Sequence, residues 1–529
     1  MPSLVLLFGL LLRCGQSAPD LSRGDDTDLE RFVTRPDIRA PILRVQIHNS
    51  EEVSSGFFFV APYASVYQQR SATNSYEPCQ TGPHIYDHQG GLVWSGACKF
   101  HNSNMADFRP MQTKNGSFVL SGIRIGLKAD DVDAYGDGVT RGQGIVLNDE
   151  YEQRIVVSGP AEMHSFNMHE LKIVDGGQSA LHILWKPEYI DVSELGLPDR
   201  KAGWVGNMGF REVDLGSGNT VFEWWSLDHV PLQESSWPVS KLEGPAPTAW
   251  DYFHADSIDK SANGDYLLSA RHTDCIYKIS GQNHSVLWRL GGRSSSFASD
   301  EVQFARQHDA RFVEAEDLRQ IPQSGVEYIS LFDNSGDEYE VASASSALVI
   351  KLDLLETVAT SFRRLMSPEE GTTRISGNSQ ILPNGNTLTC WGARSYTSEH
   401  SVEGRLVAEA SFASDRFSNY RTYKAAWKAS PSDAELTLKC FAWGTSVAKA
   451  TTVCYVSWNG ATEVNSWDFY RGDGEDHDSN VGVVTKTGFE TSIQYQGYSE
   501  FALVKAVDSV GEILATSRRA RVKHPGQWS

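Results

Sequence analysis

One hairpin, recurring with an aromatic residue at its end, constrains this chain more than any other feature. It is read at His84-Ile-Tyr-Asp-His-Gln-Gly-Gly-Leu-Val-Trp, at Val213-Asp-Leu-Gly-Ser-Gly-Asn-Thr-Val-Phe-Glu-Trp and at Ile276-Tyr-Lys-Ile-Ser-Gly-Gln-Asn-His-Ser-Val-Leu-Trp. Val349 to Phe362 and Tyr420 to Trp427 read as degenerate copies. A second unit is a tight turn feeding a strand: Asn115-Gly-Ser-Phe-Val-Leu-Ser, Asn263-Gly-Asp-Tyr-Leu-Leu-Ser and Asn384-Gly-Asn-Thr-Leu-Thr-Cys-Trp. The hairpin ends fall near Trp94, Val157, Trp224, Trp288, Thr360 and Trp427, an interval of about 65 residues. A lone hairpin cannot bury its apolar face, so such units must stack on one another. A four-stranded sheet repeated six times at this interval is what a six-bladed β-propeller requires. The interval exceeds the roughly 40–50 residues of the common propeller repeats, so the connecting loops are long. Long loops on one face are where a site is built.

The pattern changes after Trp427. Ala434 to Cys440, Thr451 to Trp458, Glu463 to Tyr470, Gly488 to Tyr495, Phe501 to Asp508 and Glu512 to Ala515 read as short alternating strands at β-sandwich spacing. The chain is therefore expected to be all-β: a six-bladed β-propeller over residues 32–428, followed by an immunoglobulin- or fibronectin-like β-sandwich over residues 430–524. The acidic stretch from Gly472 to Asn480 reads as a solvated turn and does not match a calcium-binding EF-hand loop.

With 47 basic against 67 acidic residues the formal charge is −20, which argues against nucleic acid as a partner. An anion can be held only in a local cationic pocket. Leu4 to Leu12 is apolar but too short to span a bilayer, and the small residues Gly15, Ser17 and Ala18 follow it. Residues 1–18 are thus expected to be a signal peptide, directing a secreted protein with no integral membrane span. Cys14 would leave with it. The other six cysteines are Cys79, Cys98, Cys275, Cys390, Cys440 and Cys454, enough for up to three disulfides. Cys440 and Cys454 fall in neighbouring expected strands, and Cys79 and Cys98 flank another pair. Asn115 and Asn283 head glycosylation sequons, which agrees with secretion. There is no CxxC or Cys/His metal spacing, so no metal is expected. There is also no P-loop or dinucleotide fingerprint, so no cofactor is expected, and no GxSxG elbow of a serine hydrolase.

Arg35-Pro-Asp-Ile, Phe59-Val-Ala-Pro-Tyr, Ile85-Tyr-Asp, Leu92-Val-Trp-Ser-Gly, Phe210-Arg-Glu-Val-Asp, Phe222-Glu-Trp and Ser226-Leu-Asp-His-Val form an ordered series of short motifs. It is densest at Trp250-Asp-Tyr-Phe-His-Ala-Asp-Ser-Ile-Asp, Leu268-Ser-Ala-Arg-His-Thr, Leu287-Trp-Arg-Leu-Gly-Gly, Gln307-His-Asp-Ala-Arg-Phe and Leu331-Phe-Asp-Asn, and it closes with Leu382-Pro-Asn-Gly-Asn and Trp391-Gly. On these residues, from about Phe32 to the C-terminus, the chain resembles the fungal arylsulfotransferase-like proteins. The resemblance implies a six-bladed propeller with an appended sandwich. It also implies distant kinship with bacterial enzymes that move a sulfuryl group between phenols without a nucleotide donor. By resemblance His308 matches the sulfated histidine, His254 and His169 the supporting histidines, and Arg271 the sulfate-binding arginine; His164 lies close to His169. Where relatives commonly carry Asn two residues after the first histidine, this chain has Asp256.

These residue types suit the chemistry. A guanidinium in a dry channel grips sulfate oxygens far more strongly than in water. A neutral imidazole is nucleophilic near pH 7, and a general acid helps a phenolate leave. His254 and Arg271 are joined by a hairpin and can lie on adjacent strands. His272 should face the other side of its strand by alternation, and Arg311 reads as a surface ion pair. Asp256, if buried without a partner, would repel sulfate, or it could orient or protonate an imidazole. The aromatics could line a pocket for a phenolic ligand, although Trp at the hairpin ends reads as core. The expected function is transfer of a sulfuryl group between a small-molecule aryl sulfate and a phenol. The alternatives are a repurposed propeller enzyme tailoring an aromatic or polyketide-like metabolite in fungal secondary metabolism, and a non-catalytic secreted ligand-binding or adhesion propeller.

Overall fold

A computed structural model describes residues 26–63, 79–125, 142–159, 166–239, 242, 245–299, 301–336, 344–369, 372–392, 395–472 and 478–525. The expected signal peptide and His164 lie outside these residues. Among the described residues the chain is all-β, its only helical pieces being short 3-10 turns.

Six antiparallel sheets follow one another along residues 43–425. The first takes Tyr423–Ala425, Phe57–Val60, His84–Tyr86 and Leu92–Ser95. The second takes Met105–Gln112, Phe118–Arg124, Gln143–Asn148 and Gln153–Val157. The third runs Leu171–Val174, Ser179–Asp191, Ala202–Asp214 and Thr220–Trp225, and the fourth Ala255–Lys260, Tyr266–Ala270, Cys275–Ile279 and Val286–Gly291. The fifth runs His308–Val313, Val326–Asp333, Ser346–Asp353 and Val358–Met366. The sixth has Asn378–Ile381, Thr387–Cys390, Tyr396–His400 and Leu406–Phe412, with Leu43–Ile47 added at its edge. The turn-and-strand units at Asn115, Asn263 and Asn384 each link the leading strand of a sheet to its second strand. The hairpin ends at Trp94, Val157, Trp224, Trp288 and Thr360 all lie in last strands. The sixth copy is different: Tyr420 to Trp427 is not a hairpin. Its Tyr423–Ala425 pairs with Phe57–Val60 and becomes the leading strand of the first sheet.

Leading strands of successive sheets are tied by polar bonds. Tyr423 Oη donates to Asp107 at 2.9 Å, and Asp107 accepts from the Leu171 amide at 2.9 Å. Lys172 pairs with Asp259. The Ala310 amide donates to Ser257 Oγ at 2.9 Å, the Ser379 amide to Asp309 at 3.3 Å, and Asn378 Nδ2 to the Thr422 carbonyl at 2.9 Å. Between the sheets lies a core of Val, Ile, Leu and aromatics, in which Trp224, Trp250 and Trp391 are fully buried. The Trp residues of the hairpin ends are core, as expected: Trp94, Trp224 and Trp288 are all buried.

Residues 436–521 form two further sheets, one of Leu436–Trp443, Thr451–Trp458 and Glu490–Gln496. The other holds Asp478–Thr485, Ser466–Gly472, Phe501–Val507 and Ile513–Thr516, with Ala520–Arg521 on Phe501–Val507. Both sheets contribute to one apolar cluster around Val456, Trp467, Phe469 and Val504. Of the acidic stretch read as a turn, Asp478 to Asn480 begins a strand instead. This unit is docked on the first two sheets: the Gly460 amide donates to the Val93 carbonyl, and Trp427 Nε1 donates to Tyr151 Oη, which donates to the Gly460 carbonyl, all at 2.9 Å. Gly460 has φ +97°, and a Cβ there would meet the Tyr151 ring at 2.2 Å, so only glycine permits this approach.

Two disulfides close, Cys79–Cys98 and Cys440–Cys454. A third does not: Cys275 and Cys390 are free and buried in the fourth and sixth sheets. Asn115 and Asn283 are both exposed at turns. At each, the hydroxyl two residues on donates to the Asn carbonyl oxygen, Ser117 at 2.8 Å and Ser285 at 2.7 Å.

Candidate active site

The leading strands carry the polar residues, and three of them are bulged where they do so. The register slips between Ala106 and Arg109, between Ala255 and Ser257, and between His308 and Arg311. Asp107, His254 and Asp309 have φ near +50 to +57°, a conformation side-chain-bearing residues rarely adopt. A bulge re-aims a side chain that strict alternation would send elsewhere, and such features cluster at functional sites.

Three histidines meet at one end of these strands. The rings of His169 and His254 lie edge to face at 4.9 Å. Each histidine has Nδ1 anchored. His169 Nδ1 donates to Asn167 Oδ1 at 2.7 Å, His254 Nδ1 to Asp251 Oδ2 at 2.5 Å and His308 Nδ1 to Asn334 Oδ1 at 2.7 Å. The Asn334 amide cannot flip, because its Nδ2 donates to the carbonyls of Thr373 and Ser376. With Nδ1 holding the proton, Nε2 of His169 and of His308 keeps its lone pair. Burial, then Arg271, holds the His308 imidazole well below its usual range; burial, then His254 and His308, does the same to His169. Both are neutral at pH 7.

Arg271 joins this group as the hairpin reading expected: its amide donates to the His254 carbonyl at 2.9 Å, and its side chain is buried. His272 does not turn away, correcting the alternation reading. The strand ends at Ala270 and residues 271–274 are a turn, so alternation no longer applies. His272 lies 4.5 Å from the His254 ring and stacks on Trp237 at 4.0 Å. Its Nδ1 donates to the Asp251 carbonyl at 2.6 Å and its Nε2 accepts from Arg271 at 3.1 Å. Asp251, His254 and His272 are close enough to surround a metal ion. The hydrogen bonds read otherwise: a His272 Nδ1 that must donate to a carbonyl has no lone pair for a metal, and the Nε2 lone pair is taken by the Arg271 guanidinium.

Beneath the histidines three guanidiniums and three carboxylates interlock, all buried except Arg311, which is partly buried. Arg109 pairs with Asp107 and Glu170. Arg311 pairs with Glu170 at 2.7 Å and Asp309 at 2.5 Å; Arg421 pairs with Asp107 at 2.9 Å and Glu170 at 3.1 Å. Arg311 is thus part of an interior network rather than a surface pair. Burial would raise Glu170, but Arg109, Arg311 and Arg421 overcome it and hold the carboxyl well below the usual range.

Asp256 stands outside this balance. It is fully buried, and neither carboxyl oxygen has a hydrogen-bond partner among the described residues; the Ser257 and Ser269 hydroxyls come near without hydrogen-bonding geometry. Burial pushes its pKa well up, against the opposing pull of Arg421 and Arg271. Burial thus favours the neutral acid, the form in which Asp256 would not repel an anion. A group with a raised folded pKa is fully stabilising only below its unfolded pKa and loses that as pH rises. Asp256→Asn should accordingly raise Tm at pH 7 by on the order of 3 °C. The gain should vanish below about pH 4, where the wild-type carboxyl is protonated folded and unfolded alike. Thermal melts from pH 3.5 to 8 read this directly.

Sequence reasoning brought His169, His254, Arg271 and His308 forward, and the structure gathers them into one cluster. It missed Asn167, Asp251, Asn334 and Arg421. Asp251 and Asn334 lie within the densest motifs, where a carboxylate three residues before a histidine was an available signal.

Buried neutral imidazoles beside a guanidinium form a cluster that can hold a small anion. The Arylsulfotransferase (ASST) family model matches residues 127–413, and the chain belongs to that family. No curated protein matches it. Among solved structures it is similar to a protein of unknown function from Bacteroides caccae, at 12% identity over 70% of this chain and 99% of that one, with a TM-score of 0.36. It is also similar to a protein from Lactobacillus plantarum, at 10% identity over 84% and 100%, TM-score 0.32. A third is the exo-beta-1,3-galactanase of Phanerochaete chrysosporium, at 8% identity over 77% and 95%, TM-score 0.30.

Proposed function

We propose that this chain is a secreted, nucleotide-independent sulfotransferase that moves a sulfuryl group from an aryl sulfate to a phenol through His308. The observation that carries the reading is the oriented histidine: His308 donates Nδ1–H to an immobilised Asn334, is held neutral and faces Arg271. Membership of the arylsulfotransferase family supports the reaction class.

His308 Nε2 attacks the donor sulfur. An N–S bond forms as the ester S–O bond breaks, and the phenolate departs with the electron pair and takes the Nε2 proton of His254, which enters the step as an imidazolium paired through Nδ1–H with Asp251 and leaves it neutral. Arg271 holds the sulfuryl oxygens, and His169 closes the side next to His254. In the second half an acceptor phenol gives its proton back to His254 while its oxygen attacks sulfur. The N–S bond breaks and neutral His308 returns.

The six polar ties between leading strands support a closed six-bladed propeller over residues 32–428, with the histidines at one end of its axis and the charged network below them. The two sheets sharing one core support a β-sandwich over residues 430–524. The two disulfides and the exposed sequons at Asn115 and Asn283 support export after cleavage of residues 1–18.

The test is incubation with 4-nitrophenyl sulfate, with and without a phenol, followed by peptide mass spectrometry. Without acceptor, a gain of about 80 Da, one SO₃, is expected on the peptide containing His308. With acceptor, 4-nitrophenol release and a sulfated phenol should appear in equal amounts. Saturable binding of phenols with no turnover of any aryl sulfate would instead make this a binding protein.

A further inference from the structure

We infer that Asp251 is the positioning residue of the site: one side chain and its own carbonyl aim both His254 and, through His272, the guanidinium of Arg271. The inference rests on the sulfotransferase reading and says how that site is held.

Asp251 is fixed before it acts. Its neighbour Trp250 bridges the third sheet at Val205, its amide donating to the Trp204 carbonyl at 2.9 Å and its carbonyl accepting from Gly206 at 2.9 Å. From that anchor Asp251 makes two sets of bonds. Its carboxylate accepts from both His254 nitrogens nearby: the amide reaches Oδ1 at 3.1 Å and the ring Nδ1 reaches Oδ2 at 2.5 Å. The amide bond holds the strained turn at φ +51°, and the ring bond fixes which way the imidazole faces. Its backbone carbonyl takes Nδ1–H of His272 at 2.6 Å. His272, clamped flat on Trp237 at an interplanar angle of 5°, then offers Nε2 to the Arg271 guanidinium at 3.1 Å. Burial would raise the Asp251 carboxyl, but the His254 ring and its hydrogen bond outweigh this and keep it lowered, so it is a carboxylate.

A carboxylate on Nδ1–H stabilises the imidazolium that exists whenever Nε2 also carries a proton. His254 is then an acid aimed at the leaving oxygen, and its support grows as charge develops there. This gives a signature that mere loss of structure does not. An acid matters most when the leaving phenolate is basic, so weakening it steepens the dependence on leaving-group acidity.

The experiment compares the full-length wild type with Asp251→Asn on phenyl sulfate and on 4-nitrophenyl sulfate, with His308 sulfation by mass spectrometry alongside. Asp251→Asn should lower kcat for phenyl sulfate about 10²–10⁴-fold. With 4-nitrophenyl sulfate the loss should be at least tenfold smaller, and KM should change less than kcat. Equal losses on both substrates would overturn the inference. A second readout needs no turnover: in ¹⁵N-histidine-labelled protein the His254 signals, assigned with His254→Gln, should show a protonated Nδ1. That proton should lose its strong hydrogen bond in Asp251→Asn while the other histidines hold their positions. An unchanged His254 spectrum overturns the inference, whether or not the wild type turns over aryl sulfates. So does stoichiometric zinc in the purified wild type that disappears in Asp251→Asn, which would make the three residues ligands instead.

Discussion

His308→Ala should abolish aryl sulfate turnover, lowering kcat by about 10⁴-fold or more, while Tm moves by only a few degrees. The kinetic effect is large because His308 forms and breaks the bond to sulfur, and its neighbours are engaged otherwise. The His169 ring is edge-on to His254, and the Nδ1 proton of His254 is engaged by a carboxylate. The stability effect is small because the His308 ring gives up hydrogen bonds only to Asn334 and the Arg306 carbonyl. The loss should be almost entirely in kcat, since Arg271 still grips the sulfate. The wild-type pH profile carries the same information. An imidazole held below its usual range stays neutral in mild acid, so the limb due to His308 should lie on the acid side of an ordinary histidine's. Stopped assays from pH 4 to 8 on both proteins, with melts at each pH, check all three statements. A variant that retains a tenth of wild-type kcat would remove His308 as nucleophile.

Much of this was readable from local pattern, and the failures share one cause. Turn chemistry at Asn115, Asn263 and Asn384 located real hairpins, because a turn is decided by the residues in it. Thr451–Trp458 emerged as a strand with the bounds read from alternation, and the Cys440–Cys454 pair faces across it. Tyr420 to Trp427 was misread because its partner lies at the other end of the chain, which no window of neighbouring residues reveals. Asp478–Thr485 escaped because it opens Asp-Ser-Asn and contains Gly482, a composition that favours turns, and only pairing with Ser466–Gly472 makes it a strand. In the site, His254 and Arg271 were legible because one hairpin joins them. Arg421 was not, since what makes it interior is the meeting of acids from three other strands. The bulges that point Asp107 and Asp309 inward are likewise settled by tertiary packing.

Arg421→Met should cost about 3–5 kcal/mol, because it leaves buried carboxylates without their cation. Arg421 is fully buried and bonds Asp107 at 2.9 Å, Glu170 at 3.1 Å and the Asp256 carbonyl at 3.0 Å. Removing it leaves Arg109 and Arg311 facing Asp107, Glu170 and Asp309, one negative charge in excess among buried carboxylates. The network should answer by taking up a proton, so the variant should lose more stability at pH 8 than at pH 5. Adding Glu170→Gln restores equal numbers of each sign. The double variant should be more stable than Arg421→Met alone, a coupling of more than about 1 kcal/mol in a double-mutant cycle. The same cation also helps keep His169 and His308 neutral. Its loss should therefore move the acid limb of any remaining activity toward higher pH, a shift that destabilisation alone does not produce. Additive losses in the cycle, with an unmoved limb, would mean that Arg421 only fills space beneath the site.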